Sequence, residues 1–173
     1  MIKREIYMQR IRPFMNTDLI KVFTGIRRAG KSVMLELVKN ELKESGISEE
    51  NFLCINFEQF SNSQFLDVES LYKKITDFQK NTKGKIYLFF DEIQEVDGWE
   101  KCINSCRIDF DCDIYITGSN AKLLSGELAT YLAGRYVEFV IYPFSFAEFF
   151  EMNLIKNPNV DKSTCFMQFL KTG

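Results

Sequence analysis

Gly25-Ile26-Arg27-Arg28-Ala29-Gly30-Lys31-Ser32 fits G-x-x-x-x-G-K-[ST], a spacing whose residue types can cradle a polyphosphate. Glycines let the backbone curl so that its N–H groups point inward at phosphate oxygens. A helix beginning near Lys31 adds the positive end of its dipole. Lys31 brings a full charge toward the β- and γ-phosphates, and the Ser32 hydroxyl can ligate Mg²⁺. The cofactor-binding set on this reading is Gly25, Ile26, Arg27, Arg28, Ala29, Gly30, Lys31, Ser32 and Val33. The backbone of Arg27 and Arg28 belongs to that cradle, and no role is assigned to their side chains.

A second constellation is Ile86-Tyr87-Leu88-Phe89-Phe90-Asp91-Glu92, an apolar strand that ends in two carboxylates. Asp91 would hold Mg²⁺, directly or through water, and Glu92 would orient and polarise an attacking water. Phosphoryl transfer asks a protein mainly for positioning and charge neutralisation, so these few groups suffice. Asn120, in Thr117-Gly118-Ser119-Asn120, stands where a polar side chain could meet the γ-phosphate or the lytic water. Capping of a following helix is the plainer reading of Ser119 or Asn120. Arg135 follows Gly134 just before a strand. It could reach the nucleotide of a neighbouring copy and offset transition-state charge, or complement a helix C-terminus. The catalytic set is thus Lys31, Glu92, Asn120 and Arg135, and the metal set Ser32 and Asp91.

These groups need a scaffold that brings them together. Leu19 to Gly25, Phe52 to Phe57, Ile86 to Phe90, Ile114 to Thr117 and Val137 to Tyr142 read as strands. Between them lie helical patterns over 32–45, 63–80, 97–106 and 121–133, preceded by a short helix bearing Tyr7, Ile11 and Phe14 that Pro13 ends. Asp109 to Asp113 reads as an acidic connector. Ser145-Phe146-Ala147-Glu148 has the form of a capping box and opens another helix, which Asn157-Pro158-Asn159 breaks. Strands alternating with helices predict an α/β fold with a parallel sheet covered on both faces. Right-handed crossovers then align all strand C-termini on one edge, where ligands bind.

The 173 residues suit one α/β domain. With 46% hydrophobic and 27% charged residues the profile is globular. The 17 phenylalanines suggest a ring-rich core. A net charge of −2 gives no support to a broad nucleic-acid surface. Histidine is absent, which excludes imidazole catalysis. The five cysteines, Cys54, Cys102, Cys106, Cys112 and Cys165, are odd in number and irregular in spacing. They read as buried or idle thiols rather than a disulfide framework or a metal set. No signal core and no run of ~18 apolar residues is present, so a reducing cytoplasm is the expected compartment and no membrane partner is expected.

Five motifs occur in order: Gly25 to Ser32, Phe90-Asp-Glu-Ile-Gln94, Ile116-Thr-Gly-Ser-Asn120, Leu132-Ala-Gly-Arg135 and Pro143-Phe-Ser-Phe146. Together they resemble a prokaryotic ATPase family of the AAA+ superfamily whose phosphate loop reads Gly-x-Arg-Arg-x-Gly-Lys-Ser. The resemblance covers about residues 2 to 150. It implies a three-layer P-loop NTPase fold with a five-stranded parallel sheet in the order 5-1-4-3-2. It also implies Lys31 and Ser32 in Walker A, Asp91 and Glu92 in Walker B, Asn120 as sensor 1, and Arg135 where arginine fingers often stand. Residues 1–150 would be the ATPase core and 151–173 the start of an incomplete helical lid or linker. Family members normally continue into a full lid and a C-terminal domain, and no sensor 2 arginine follows the fifth strand here.

The expected activity is Mg²⁺-dependent hydrolysis of ATP to ADP and phosphate, coupled to a C-terminal domain or partner. A homo-oligomer with Arg135 acting in trans is the expected assembly. A nucleotide-dependent switch with little hydrolysis, a small-molecule kinase and a DNA-associated assembly factor are the alternatives. The lack of a guanine-reading Asn-Lys-x-Asp pattern favours ATP over GTP, and position alone puts the adenine pocket near Tyr7 to Pro13.

Overall fold

A computed structural model describes residues 2–118 and 132–172. Its strands are β1 (Ile20–Thr24), β2 (Phe52–Asn56), β3 (Ile86–Asp91), β4 (Cys112–Thr117) and β5 (Tyr136–Val140). The helices are α1 (Glu5–Ile11), α2 (Lys31–Glu44), α3 (Val68–Asn81), α4 (Trp99–Asp109), α5 (Phe146–Lys156) and α6 (Lys162–Thr172). The strands form one sheet in the order β2-β3-β4-β1-β5, and every pairing is parallel. This is the expected order, 5-1-4-3-2, read from the other edge.

Burial on both faces explains the unbroken apolar runs. Along β3, Ile86, Leu88 and Phe90 enter one core with Leu71 and Ile75 of α3 and Trp99, Ile103 and Cys106 of α4. Tyr87 and Phe89 alternate to the other face, against Met34, Leu35, Val38 and Leu42 of α2 and Met8 and Ile11 of α1. The result is three layers, with helices on both sides of the sheet. Each fully buried Leu, Ile or Phe contributes about 1.5–3 kcal/mol relative to exposure. The central strands β1, β3 and β4 are buried throughout.

Several boundaries move from their expected places. The helix expected over 63–80 starts at Val68, because Phe60–Phe65 forms a 3₁₀ turn and Asp67 is the cap, its carboxylate accepting the Ser70 N–H at 2.8 Å. Pro13 lies inside a 3₁₀ turn, Arg12–Phe14, that extends α1. The acidic connector at 109–113 is shorter than expected. Asp113 lies within β4 and is fully buried, where the Lys21 ammonium and the Tyr115 hydroxyl both donate to it. The expected capping box at Ser145 is present, and it starts α5 at Phe146. Rings of Phe146 and Phe149 meet Phe166 and Phe169, joining α5 to α6. Cys102, Cys106 and Cys112 are buried. Burial pushes the Cys112 thiol up to about 12, so it stays protonated. Among the described residues, no helix is long and apolar enough to cross a membrane.

Candidate functional site

The loop between β1 and α2 sits at the C-terminal edge of the sheet, and its shape depends on glycine at both ends. Gly25 has φ 144°, and a Cβ there would lie 2.2 Å from the Ile141 carbonyl oxygen. No side chain fits between the loop and the segment after β5, which Ile141 N–H ties to the Thr24 carbonyl at 2.7 Å. Gly30, the N-cap of α2, has φ 93°. Arg28 shares the left-handed region at φ 66°, a conformation that costs a non-glycine residue about 1–2 kcal/mol. Ile26, Arg27 and Arg28 are exposed, whereas Ala29 is buried. The Ala29 N–H closes back on the Ile26 carbonyl at 3.1 Å. In the first turn of α2 the N–H groups of Lys31, Ser32 and Val33 have no intrahelical acceptor. A rim of free N–H groups at the positive end of a 14-residue helix fits an anionic group.

Lys31 is 6% exposed. Its ammonium donates to the Gly25 carbonyl at 3.3 Å and stands 3.4 Å from Glu92 Oε1. Lys31 and Glu92, 61 positions apart in the chain, therefore meet. Ser32 and Asp91 line one cleft of about 300 Å³ together with Asn56. Hydroxyl and carboxylate oxygens are the donors that Mg²⁺ prefers, so this pair fits the metal.

Three further side chains orient the carboxylates. The Thr117 hydroxyl donates to Asp91 Oδ1 and accepts the Glu92 N–H at 2.9 Å. Asn56 Nδ2 donates to Asp91 Oδ2 at 2.8 Å. Gln94 Nε2 donates to Glu92 Oε2 at 2.6 Å. Glu92 takes φ 56°, which turns its side chain out of the strand's alternation. The sequence reading assigned none of Asn56, Gln94 or Thr117 a role. Asn56 was findable, because β2 and β3 pair in parallel with Asn56 opposite Asp91. Thr117 and Gln94 lie in motifs quoted above, but their aim depends on strand register and on a left-handed turn.

Asn120 lies outside the described residues. Arg135 lies at the opposite edge of the sheet from the loop. Its carbonyl accepts the Ile20 N–H at the start of β1, and its Nη1 donates to Asn104 Oδ1 at 3.2 Å. Five residues of β1 separate it from the phosphate loop, about 17 Å at strand rise, so it does not join the site of its own chain.

Beside the loop, on the face away from Asp91, opens a cleft of about 500 Å³ lined by Arg4, Arg28, Gly30, Val33, Phe144 and Phe149, among others. The segment expected to meet an adenine, Tyr7 to Pro13, does not line this cleft: Tyr7, whose hydroxyl accepts the Tyr142 N–H at 3.0 Å, and Arg10 line a separate one beside β5. Arg12 is engaged elsewhere, with Glu5 and Glu41.

A family model described as an AAA domain matches residues 17–150. An uncharacterized protein of Haemophilus influenzae is 48% identical over the whole of this chain, which covers 43% of that protein. An uncharacterized protein of Methanocaldococcus jannaschii is 40% identical over 83% of this chain and 30% of its own length. The chain thus spans less than half the length of the curated relatives it matches. Among solved structures, the Aeropyrum pernix ORC1 protein in complex with DNA superposes with a TM-score of 0.59 at 14% identity, over 90% of this chain and 49% of that one, a likeness of fold. With a matching model over most of its length and the sheet order that the resemblance implies, the chain belongs to the AAA domain family.

Proposed function

We propose that the chain binds Mg–ATP at the C-terminal edge of its sheet and hydrolyses it to ADP and phosphate. The observation that carries this is the convergence of Lys31, Glu92 and Asp91 on the glycine-bounded loop, with the Lys31 ammonium 3.4 Å from Glu92. Backbone N–H groups from Gly25 to Val33 receive the phosphates, and Lys31 offsets their charge. Ser32 and Asp91 would hold Mg²⁺, which when bound would supply neutralisation of the phosphate charge. Glu92 orients the attacking water, while Gln94 holds its carboxylate and Thr117 its backbone N–H. Asn120 would sense the γ-phosphate. The cleft over Val33, Phe144 and Phe149 takes the nucleoside. Arg135, remote from its own loop, is assigned to the site of a second copy. Residues 1–150 form the core, and residues 151–173 the start of an incomplete helical lid or linker. The Arg-Arg phosphate loop supports a place in the prokaryotic subgroup, and on that reading nucleotide state is coupled to a C-terminal domain or partner in the cytoplasm.

The test is ATP turnover per chain with Mg²⁺ across a wide range of protein concentration, with Glu92→Gln as the blank. Turnover that rises with concentration and vanishes in the variant supports hydrolysis completed in trans. Turnover independent of concentration removes the role given to Arg135. Tight Mg–ATP binding with no turnover in either protein replaces the hydrolase with a nucleotide-dependent switch.

A further inference from the structure

Arg4 is a cation buried at the start of the chain. The residue adopts φ 46°, and its side chain has 0% exposure. A buried guanidinium persists only where its donors find acceptors. Nε donates to Glu148 Oε1 at 2.8 Å, Nη1 to the Ala29 carbonyl at 2.9 Å, and Nη2 to the Tyr142 carbonyl at 2.7 Å. The guanidinium carbon lies 4.6 Å from the Tyr7 ring centroid and 5.1 Å from that of Phe144. Its acceptors come from the phosphate loop, the segment after β5 and the first turn of α5. Glu148 also serves α5, because its Oε2 accepts the Ser145 N–H at 2.9 Å and the Ser145 hydroxyl at 3.0 Å to close the capping box.

The bond to Ala29 bears on the cradle. In a planar trans peptide the carbonyl and the following N–H point in opposite directions. Holding the Ala29 carbonyl on the Arg4 side therefore turns the Gly30 N–H to the other side of the loop. Arg4 Nη1 also packs close to Gly30, where a Cβ would stand 3.2 Å from it.

We propose that Arg4 is a positioning residue for nucleotide binding. It presets the Gly30 N–H for a phosphate oxygen, and through Glu148 it makes that setting depend on the first turn of α5. The proposal rests on the nucleotide reading above. Lysine, a point charge on a flexible stem, cannot serve three acceptors as the planar fork does. Gln at position 148 keeps an acceptor for the capping box and loses the charge that holds Arg4.

The experiment titrates the 173-residue chain with a fluorescent ATP analogue and Mg²⁺. It compares the unsubstituted protein with Lys31→Ala, Arg4→Lys, Glu148→Gln, the double variant, and Ile75→Val as a core control on the opposite face. Arg4→Lys is expected to raise Kd about tenfold or more, and Glu148→Gln at least about threefold. The double variant is expected to match Arg4→Lys alone, because both changes cut one network. Ile75→Val is expected to lower Tm and leave Kd unchanged. A Kd for Arg4→Lys within about twofold of the parent, or a loss no larger than that of the core control, overturns the proposal. If Arg4→Lys does not fold, Glu148→Gln decides, and an unchanged Kd there overturns it equally. Equal binding by the parent and Lys31→Ala means that the nucleotide reading itself has failed, and the Arg4 role falls with it.

Discussion

The Thr117 hydroxyl links Asp91 to Glu92, because it donates to the Asp91 carboxylate and accepts the backbone N–H of Glu92. Replacing it by Val keeps the shape and leaves a buried acceptor and a donor unmet, at about 1–3 kcal/mol. Thr117→Val is expected to lower stability by about that amount, and to reduce Mg²⁺-dependent turnover by about tenfold or more. Steady-state kinetics beside urea unfolding checks both. A large stability loss with unchanged kcat would show that the hydroxyl serves packing alone. At this scale the sequence is informative where residue type and spacing state the chemistry by themselves. Gly25, Lys31, Ser32, Asp91 and Glu92 were legible for that reason. Thr117, Asn56, Gln94 and Arg4 were not, because each acts through a partner 2 to 144 positions away, and only the fold sets those pairings.

Elements were legible where periodicity is strong. The run Ile86 to Phe90 announced a strand buried on both faces, and Ser145 with Glu148 announced a helix start. The reading failed at β4, whose second residue is a charged side chain inside the sheet. Asp113 is tolerated there because Lys21, from the neighbouring strand β1, lies with it at 0% side-chain exposure, and Tyr115 and the Asn16 N–H add donors. Burial lowers the Lys21 ammonium from its ordinary range, against the opposing pull of Asp113. Removing one partner leaves a buried charge. Asp113→Ala is expected to destabilise by about 3–5 kcal/mol, and Lys21→Met with Asp113→Leu to recover most of that loss. Urea denaturation of the single and paired variants tests this. Equal losses in both would mean that the pair is favourable beyond mutual neutralisation.

At the scale of the whole molecule, strand–helix alternation was enough to predict a parallel sheet with one ligand-binding edge. The strand order came from the resemblance, since periodicity carries no information on neighbours. Surface charge sets the acid limit of this fold. Hydrogen bonds hold the carboxyls of Glu5, Glu49, Asp67 and Asp161 below their ordinary values. Burial works to raise Glu148, but Arg4 and Ser145 outweigh it. A carboxyl depressed in the folded state stabilises above its unfolded pKa and loses that contribution as pH falls through the folded one. Tm is therefore expected to hold through neutral pH, to decline below about 4.5, and to go on falling toward 2, where Lys39 and Lys43 keep Glu49 ionised. Glu49→Gln should flatten the lowest part of that curve in a Tm series from pH 6 to 2, and an unchanged curve would rule the cluster out. The place of β1 in the sheet has a consequence for synthesis. Its neighbours are β4 and β5, both made after it, and the Arg4–Glu148 contact spans 144 positions. At about 5–20 residues per second, the ribosome needs roughly 7–30 s to supply the partner of the fourth residue. Of the five strands, β1 is thus made first and is among the last to be enclosed, and the contact that holds the Ala29 carbonyl forms only once Glu148 has been made.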